Sequence, residues 1–428
     1  MLKTLFYEIR KWIQPDELCL CKAQIFNEPT MTFLLSSQNV FEYLNQHQLC
    51  ELKEEDLSSI KQKSCKNFNL IVSCENNRHL LVKQERHNRK GKSKGEFLKE
   101  WQIQEFFKKF PKLSHIRPLI SEAIHYDPQR SIIVLNYLDD YCDVTEFYSK
   151  EQVFPTMIAS QVGYVLASIH HSTLDRQEYK EFLVGEDITI DKPLPFVRNL
   201  ESIEPEIFGC VCADDIKFFA LYQRYDSLRQ AIAELLTAFE PCCLTHNDLK
   251  LNNILLRLDW QQAPETAVDS PFQTEGKDSQ RVSSIIRLID WEKYTWGDPA
   301  FDLGMMISSY LKIWLGSLAI STDIDIQTSL ASAVHPLETL QPSIVALTKA
   351  YFVQFPQIIE RRPDFLLRVM QFTGLALIKK ILIMLQYQEP FGNIGICMLQ
   401  VAKTLLCNPK QSIPTVFGTT APELIQNS

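Results

Sequence analysis

The segment Thr245 to Leu256 constrains this chain more than any other. It reads Thr-His-Asn-Asp-Leu-Lys-Leu-Asn-Asn-Ile-Leu-Leu, so the carboxylate of Asp248 stands five residues ahead of the carboxamide of Asn253, and an apolar run follows at once. A second strand-like run, Ile285 to Ile289, ends on Asp290. The order acid, amide, short strand, acid suits phosphoryl transfer from Mg-ATP. One carboxylate receives or orients the proton of the attacking hydroxyl, while the amide and the second carboxylate hold the metal on the phosphates. Asp248 is therefore the candidate general base or hydroxyl-orienting group. Asn253 and Asp290 are the candidate magnesium ligands, both hard oxygen donors. His246 reads as a residue that holds the loop's shape by hydrogen bonding. Lys250 reads either as a group approaching the transferring phosphate or as a simply exposed side chain. These residues define a reaction class and leave the acceptor open.

The bulk numbers narrow the rest. At 428 residues the chain is too long for one small core, and two lobes or domains are expected. With 45% hydrophobic and 22% charged residues the composition is that of an ordinary globular protein. A net charge of -8 argues against a general nucleic-acid binder. The amino-terminal residues Met1 to Gln14 lack the apolar core of a signal peptide. Leu375 to Leu385, the most apolar stretch, is interrupted by Lys379 and Lys380 and is too short to span a bilayer; it reads as a buried helix. No membrane span and a cytoplasmic location are expected. None of the 12 cysteines forms a CxxC pair or a zinc-like cluster with histidine. Reduced, mostly buried thiols are expected.

Along the chain, residues 1–60 read as an amphipathic helical extension, a cap on the core or a substrate-binding element. Residues 61–138 read as a small sheet lobe. Phe68, Leu70 and Val72 alternate, Asn76-Asn77 marks a turn, and Leu80 to Lys83 returns as the second arm of a hairpin. A basic stretch, Arg86 to Lys94, reads as a solvated loop, and a helix follows from Glu96 to about Phe110. Strands are expected at Ala123 to Tyr126 and Ser131 to Tyr137. Residues 139–428 read as helical, beginning with a long helix at Pro155 to His171 and broken by short strands around the catalytic segment. A polar insertion at Asp259 to Ser284 sits between those strands.

Lys83 ends an apolar strand. Alone it would be a solvated lysine; followed by this helix and the later motif it reads as an ammonium aimed at nucleotide phosphates. A carboxylate on the helix must then hold it charged, Glu100 as first choice and Glu96 as second. Asp298, with Pro299 behind it, is an N-cap candidate, and Asp302 is placed to accept backbone N–H bonds from the catalytic loop. No GxGxxG loop is present, so Ser64 to Asn69 or Asn76-Asn77 would have to cover the phosphates. Trp291 and Trp296 read as core residues rather than a cage for a quaternary ammonium.

At these residues the chain resembles the aminoglycoside phosphotransferase and choline kinase superfamily, relatives of the protein kinases. Its pattern HxDxxxxN, IDxE, GDPxxDL stands here as His246-Asn247-Asp248 to Asn253, Ile289-Asp290-Trp291-Glu292, and Gly297-Asp298-Pro299 to Asp302-Leu303. The helix Ser160 to His171 resembles the family helix that ends in Leu-x-x-x-His. The likeness is strong from Asn67 to Leu303, general over the carboxy-terminal helices and absent over the amino-terminal segment. Asn247 stands where the family usually has glycine. The resemblance implies an α+β, two-lobed protein-kinase-like fold with a small antiparallel-sheet N-lobe and a large, mainly helical C-lobe. It also implies ATP at a hinge, with backbone groups of Asn136, Tyr137 and Leu138 on adenine, and an acceptor pocket between the catalytic loop and the carboxy-terminal helices.

Three functions compete. The first is an ATP- and Mg2+-dependent phosphotransferase acting on a hydroxyl of a small molecule, such as an aminoglycoside, amino alcohol or sugar. The second is a kinase for Ser or Thr of a precursor peptide, as in lanthipeptide-type biosynthesis. The third is a non-catalytic member, a nucleotide-binding or purely scaffolding pseudokinase.

Overall fold

A computed structural model of the chain describes residues 33–50, 60–64, 67–74, 78–86, 93–185, 194–197, 200, 213–262, 284–320 and 324–425. The expected amino-terminal extension up to residue 32, the Asn76-Asn77 turn, residues 87–92 of the basic stretch and residues 263–283 of the polar insertion lie outside them. The chain forms two compact units, Met1–Leu35 and Ser36–Ser428, and everything below concerns the second.

The amino-terminal part of this unit is built on one antiparallel sheet. Its strands are β1 (Ile60–Ser64), β2 (Phe68–Ser73), β3 (His79–Gln84), β4 (Ala123–Asp127) and β5 (Ile132–Asn136), in the order β1-β2-β3-β5-β4. The alternation of Leu70 and Val72 with Leu80 and Val82 matches buried positions on paired strands, which is what sets the register. Strand β1 is an addition to the sequence reading. Ile-Lys-Gln-Lys-Ser carries no apolar alternation, because it pairs only with β2 at the sheet's edge. Helix α1 (Val40–Gln46) precedes it. After α1 and at the end of β2, Cys50 and Cys74 meet with Cα atoms 5.9 Å apart and form a disulfide. This corrects the expectation of reduced thiols for that pair. The pairing is set by tertiary approach and leaves no mark in cysteine spacing.

Helix α2 (Glu96–Lys109) crosses the sheet and ends before Pro111, as the sequence predicts. Its start is fixed locally. Gly95 takes φ 75°, a conformation open to glycine, and the carboxylate of Glu85, just past β3, accepts from the backbone N–H of Gly95 at 3.1 Å and of Phe97 at 2.7 Å.

The carboxy-terminal part is mainly helical. Its main helices are α3 (Thr156–Thr173), α4 (Pro299–Gly316), α5 (Leu337–Gln354), α6 (Phe365–Gln386) and α7 (Asn393–Cys407). Close approach of α3 to α5 needs Gly163, where a Cβ would fall 2.0 Å from the Leu347 carbonyl oxygen. Burial of Phe365, Val369, Met370, Phe372 and Ile378 makes α6 a core helix, each such side chain contributing about 1.5–3 kcal/mol. No helix of the described residues is long and apolar enough to cross a membrane. Five short strands, more than the sequence showed, surround the catalytic segment: β6 (Tyr141–Asp143), β7 (Cys243–Thr245), β8 (Ile254–Arg257), β9 (Ile286–Leu288) and β10 (Thr295–Gly297). They form a β6-β8-β9 sheet and a β7-β10 pair. The α+β class with a small antiparallel sheet and a large helical part is as the sequence predicts.

Candidate active site

Short strands of two small sheets present the motif. The loop predicted to be catalytic leaves β7 of one, passes His246, Asn247 and Asp248, and enters β8 of the other after Asn253. Strand β9 runs antiparallel to β8, with Ile254 opposite Leu288, and delivers Asp290 beside the loop. The backbone N–H of Ile289 donates to the Asn253 carbonyl at 3.0 Å, which locks the two segments together.

Asp302 and His246 shape the loop. The Asp302 carboxylate is buried and accepts from the backbone N–H of His246 at 2.6 Å and of Asn247 at 2.8 Å. His170 at the end of α3 adds a third contact at 3.3 Å, and its other ring nitrogen meets the Tyr351 hydroxyl at 2.9 Å. The brace expected of Asp302 is therefore formed. His246 is fully buried; its Nε2 donates to the Ile289 carbonyl at 2.9 Å and its Nδ1 accepts from the Asp248 N–H at 3.3 Å. Burial pushes its imidazole down, favouring the neutral ring this pattern requires. Asn247 has φ 60°, a left-handed conformation that asparagine tolerates, which explains how it stands where a glycine is usual. Asp290 shares that conformation at φ 61°.

The sheet supplies a charge cluster. Lys83 on β3 is buried and points its Nζ at Asp290 Oδ1, 2.6 Å away, and at Glu100 Oε2 of α2, 3.9 Å away. Burial alone would push the ammonium down, but Asp290 and then Glu100 outweigh it and raise it above an ordinary lysine. Glu100 is 1% exposed, and neither of its carboxylate oxygens has a hydrogen-bond partner. Burial pushes it up to about 7, with Lys83 pulling the other way. Asp290 is held below the ordinary carboxylate range because Lys83 overcomes its desolvation. The second candidate, Glu96, lies at the helix start and on the wall of a neighbouring cavity. Asn69, directly across from Lys83 on β2, is buried with its side-chain oxygen unpartnered; it falls within the Ser64 to Asn69 stretch considered for phosphate contact.

Asn253 is 1% exposed. Its Nδ2 donates to the Asp248 carbonyl at 2.9 Å, and its Oδ1 has no partner. A buried carboxamide oxygen without a donor is costly unless something else takes it up. Together with the Asp290 carboxylate it offers the hard oxygen pair that a magnesium ion accepts, most other positions being left to phosphates and water. Among the described residues no group of three His, Cys, Asp or Glu side chains competes as a metal cluster.

Asp248 sits among three ammonium groups. Its carboxylate lies 3.3 Å from Lys250, 3.4 Å from Lys293 and 3.2 Å from Lys379. Burial would raise it, but Lys379, then Lys250 and Lys293, hold it far below the usual carboxylate range. Lys379 also donates to the Asn247 carbonyl at 2.8 Å. Lys293 and Lys379 were not assigned a role in the sequence reading. The signal for Lys379 was present: with Lys380 it interrupts the most apolar stretch of the chain. Lys380 reaches the Ser309 hydroxyl at 3.2 Å, and burial pushes it down to about 7.

Of the residues expected at a hinge, Asn136 ends β5 and Tyr137 and Leu138 follow it. The Asn136 N–H donates to the Glu122 carbonyl at 3.0 Å and the Tyr137 N–H to the His79 carbonyl at 2.9 Å, so the chain itself uses these two of the backbone groups expected to face adenine. Trp291 and Trp296 are buried core residues, with Trp291 packed on the His246 ring at 4.6 Å. Asp298 caps α4 through the Ala300 N–H at 3.0 Å and pairs with buried Arg362 at 2.9 Å. Cys242 and Cys243 are buried, and burial pushes the Cys243 thiol well up, away from nucleophile behaviour.

With the lysine on the third strand, the buried glutamate on the neighbouring helix and the braced loop in view, the architecture is an α+β fold with a small antiparallel sheet and a large helical part. No protein-family model matches the sequence, and no curated protein does. Solved structures similar to this chain include the choline kinase LicA from Streptococcus pneumoniae, at 14% identity over 86% of this chain and 98% of that one, with a TM-score of 0.38. A GDP and kanamycin complex of APH(2")-IIia is similar at 12% identity over 88% and 99%, TM-score 0.46. The macrolide 2'-phosphotransferase MphH from Brachybacterium faecium is similar at 11% identity over 87% and 98%, TM-score 0.38. At these scores the reading of the site rests on its own residues.

Proposed function

We propose that this protein is a phosphotransferase that moves the γ-phosphate of Mg-ATP onto a hydroxyl of a small molecule. The observation that carries the reading is the buried, unpartnered Oδ1 of Asn253 in a segment bonded to the one that delivers Asp290, whose carboxylate is held by Lys83 with Glu100 behind it. The lobes proposed are residues 61–138 and 139–428, with ATP between them.

In this reading Asn253 and Asp290 would hold a magnesium ion, which when bound would supply charge neutralisation to the phosphates. Lys83 faces the nucleotide phosphates, and Glu100 keeps it charged once Asp290 is engaged elsewhere. The acceptor oxygen bonds to the γ-phosphorus, the bond from that phosphorus to the β–γ bridging oxygen breaks, and ADP leaves with the electron pair. Asp248 stays ionised and orients the hydroxyl. Held so far below the usual range, it is a weak base, and takes the proton only as the new P–O bond makes the hydroxyl acidic. Lys250 faces the charge that builds on the transferring phosphoryl group. Asp302 and His246 keep the loop in register without touching the reacting atoms.

The test is twofold. Saturating Mg-ATP at about a hundredfold excess over Kd should stabilise the protein by about 2.7 kcal/mol. A phosphate-transfer screen over sugars, amino alcohols, hydroxy acids and Ser or Thr peptides should then yield a phosphorylated product. Absence of any Mg-ATP stabilisation at millimolar nucleotide would favour the non-catalytic scaffold.

A further inference from the structure

A cavity of about 800 Å3 opens beside the catalytic loop, within the size range of small-molecule sites. Leu194, Phe196, Phe219, Phe301, Leu382 and Leu385 make much of its wall apolar. Asn247, next to Asp248, forms part of the same wall, as do Lys293 and Lys379, which reach the Asp248 carboxylate, so this cavity ends close to Asp248.

The charge at the reacting end is positive. Lys250, Lys293 and Lys379 all stand within 3.4 Å of the one carboxylate of Asp248, while Asp290, the other carboxylate that Lys250 faces, is paired with Lys83. Two of the three, Lys293 and Lys379, lie on the cavity wall, with Lys94 and Lys99 farther along it. That wall also carries Glu96, Asp215 and Glu292, none of them without a partner, so its lysines outnumber its carboxylates four to three. The aromatic faces are taken as well. The Lys379 ammonium stands 5.9 Å from the Phe196 ring centroid and 5.7 Å from that of Phe301. Rings that would otherwise attract a cationic ligand are thus occupied by the protein's own cation. A polycation or a quaternary ammonium brought here would meet like charge, which is unfavourable.

We propose that the acceptor is anionic: a hydroxyl compound with an apolar body and a carboxylate or phosphate group, whose negative charge lies against Lys293 and Lys379. The proposal rests on the phosphotransferase reading of Asp248 and makes the site the opposite of an acidic pocket for amino sugars, despite the chain's net charge of -8.

The experiment uses the full chain, Mg-ATP and four acceptors on one carbon skeleton: β-hydroxydecanoate, β-hydroxydecyl phosphate, the matching diol and the matching amino alcohol. Expected is a kcat/KM for at least one anion about tenfold above the diol and more above the amino alcohol. The two anions separate carboxylate from phosphate recognition. Lys293→Gln should shrink the preference and Lys293→Glu should abolish or invert it. An amino alcohol preferred over both anions, or transfer indifferent to charge, overturns the proposal. If none of the four is phosphorylated, thermal stabilisation by the same compounds decides. Stabilisation by an anion alone, lost in Lys293→Glu, upholds the anion site and places the failure on the phosphotransferase reading. Charge-indifferent stabilisation, or none, overturns the anion site.

Discussion

Lys83 Nζ and Asp290 Oδ1 lie 2.6 Å apart although 207 residues separate them in the chain. One sits on the third strand of the sheet and the other on the turn after β9. A bond of this length ties the sheet to the segment after β9 and so fixes the two halves of the candidate site against each other. It also places Asp290 between two partners, the lysine it now holds and the metal it would hold.

Asp290→Ala should therefore act on nucleotide binding. The expected outcome is loss of the magnesium-dependent part of the thermal shift with ATP, while the fold persists because Lys83 keeps Glu100 within 3.9 Å. Titration calorimetry with and without magnesium measures it. Unchanged affinity in both conditions would remove Asp290 from the metal site.

Asp248→Asn should lower phosphate transfer roughly a thousandfold while leaving ATP affinity within about threefold. The substitution also strips Lys379, which is only 13% exposed, of its counter-charge. A melting temperature below the parent's is expected alongside the kinetic loss. Transfer at the parental rate would show that hydroxyl orientation lies elsewhere.

Glu100 gives a pH signature. Its carboxyl is raised from an ordinary value of 4.5 to about 7 by burial. A raised folded value means that the stability linked to its proton is fully present below the unfolded value and is lost as pH rises through about 7. Glu100→Gln should thus match the parent near pH 5 and exceed it in alkaline buffer, by an amount on the order of 2 kcal/mol, when nucleotide is absent. Denaturant titrations at several pH values read this directly, and parallel curves for the two proteins would refute it.

Asn247 tests the loop's backbone. With φ at 60°, Asn247→Gly should change stability by no more than about 1 kcal/mol, whereas Asn247→Val should destabilise by about 2 kcal/mol. Equal effects of the two would show that the left-handed conformation is not required.

Asp302→Ala should destabilise by about 3 kcal/mol, because it leaves two buried backbone donors and His170 without their acceptor. Transfer should fall as well, through loss of loop geometry. A variant as stable as the parent would mean that the loop holds itself.

Local chemistry was enough to make several features legible in the sequence. Asp298 ahead of Pro299 is an N-cap signal and it caps α4. Alternation over Phe68 to Val82 is a hairpin signal and it forms β2 and β3. The order His246, Asp248, Asn253, Asp290 pointed to a candidate site: the first three share one short segment, and the pairing of β8 with β9 brings Asp290 next to it. Other features carry no local signal. Strand β1 is polar and pairs by adjacency, the Cys50–Cys74 bond follows from where α1 and β2 lie, and Lys293 was one lysine among many.

From sequence alone came the reaction class and the groups to carry it, since spacing along a loop already dictates which side chains share it. Only the folded chain decided the electrostatic character of the acceptor cavity. That character depends on Lys379, brought to Asp248 from 131 residues away by a core helix whose position is set by buried side chains. Charge at a point in space is a sum over every element packed around it, and no stretch of sequence contains that sum.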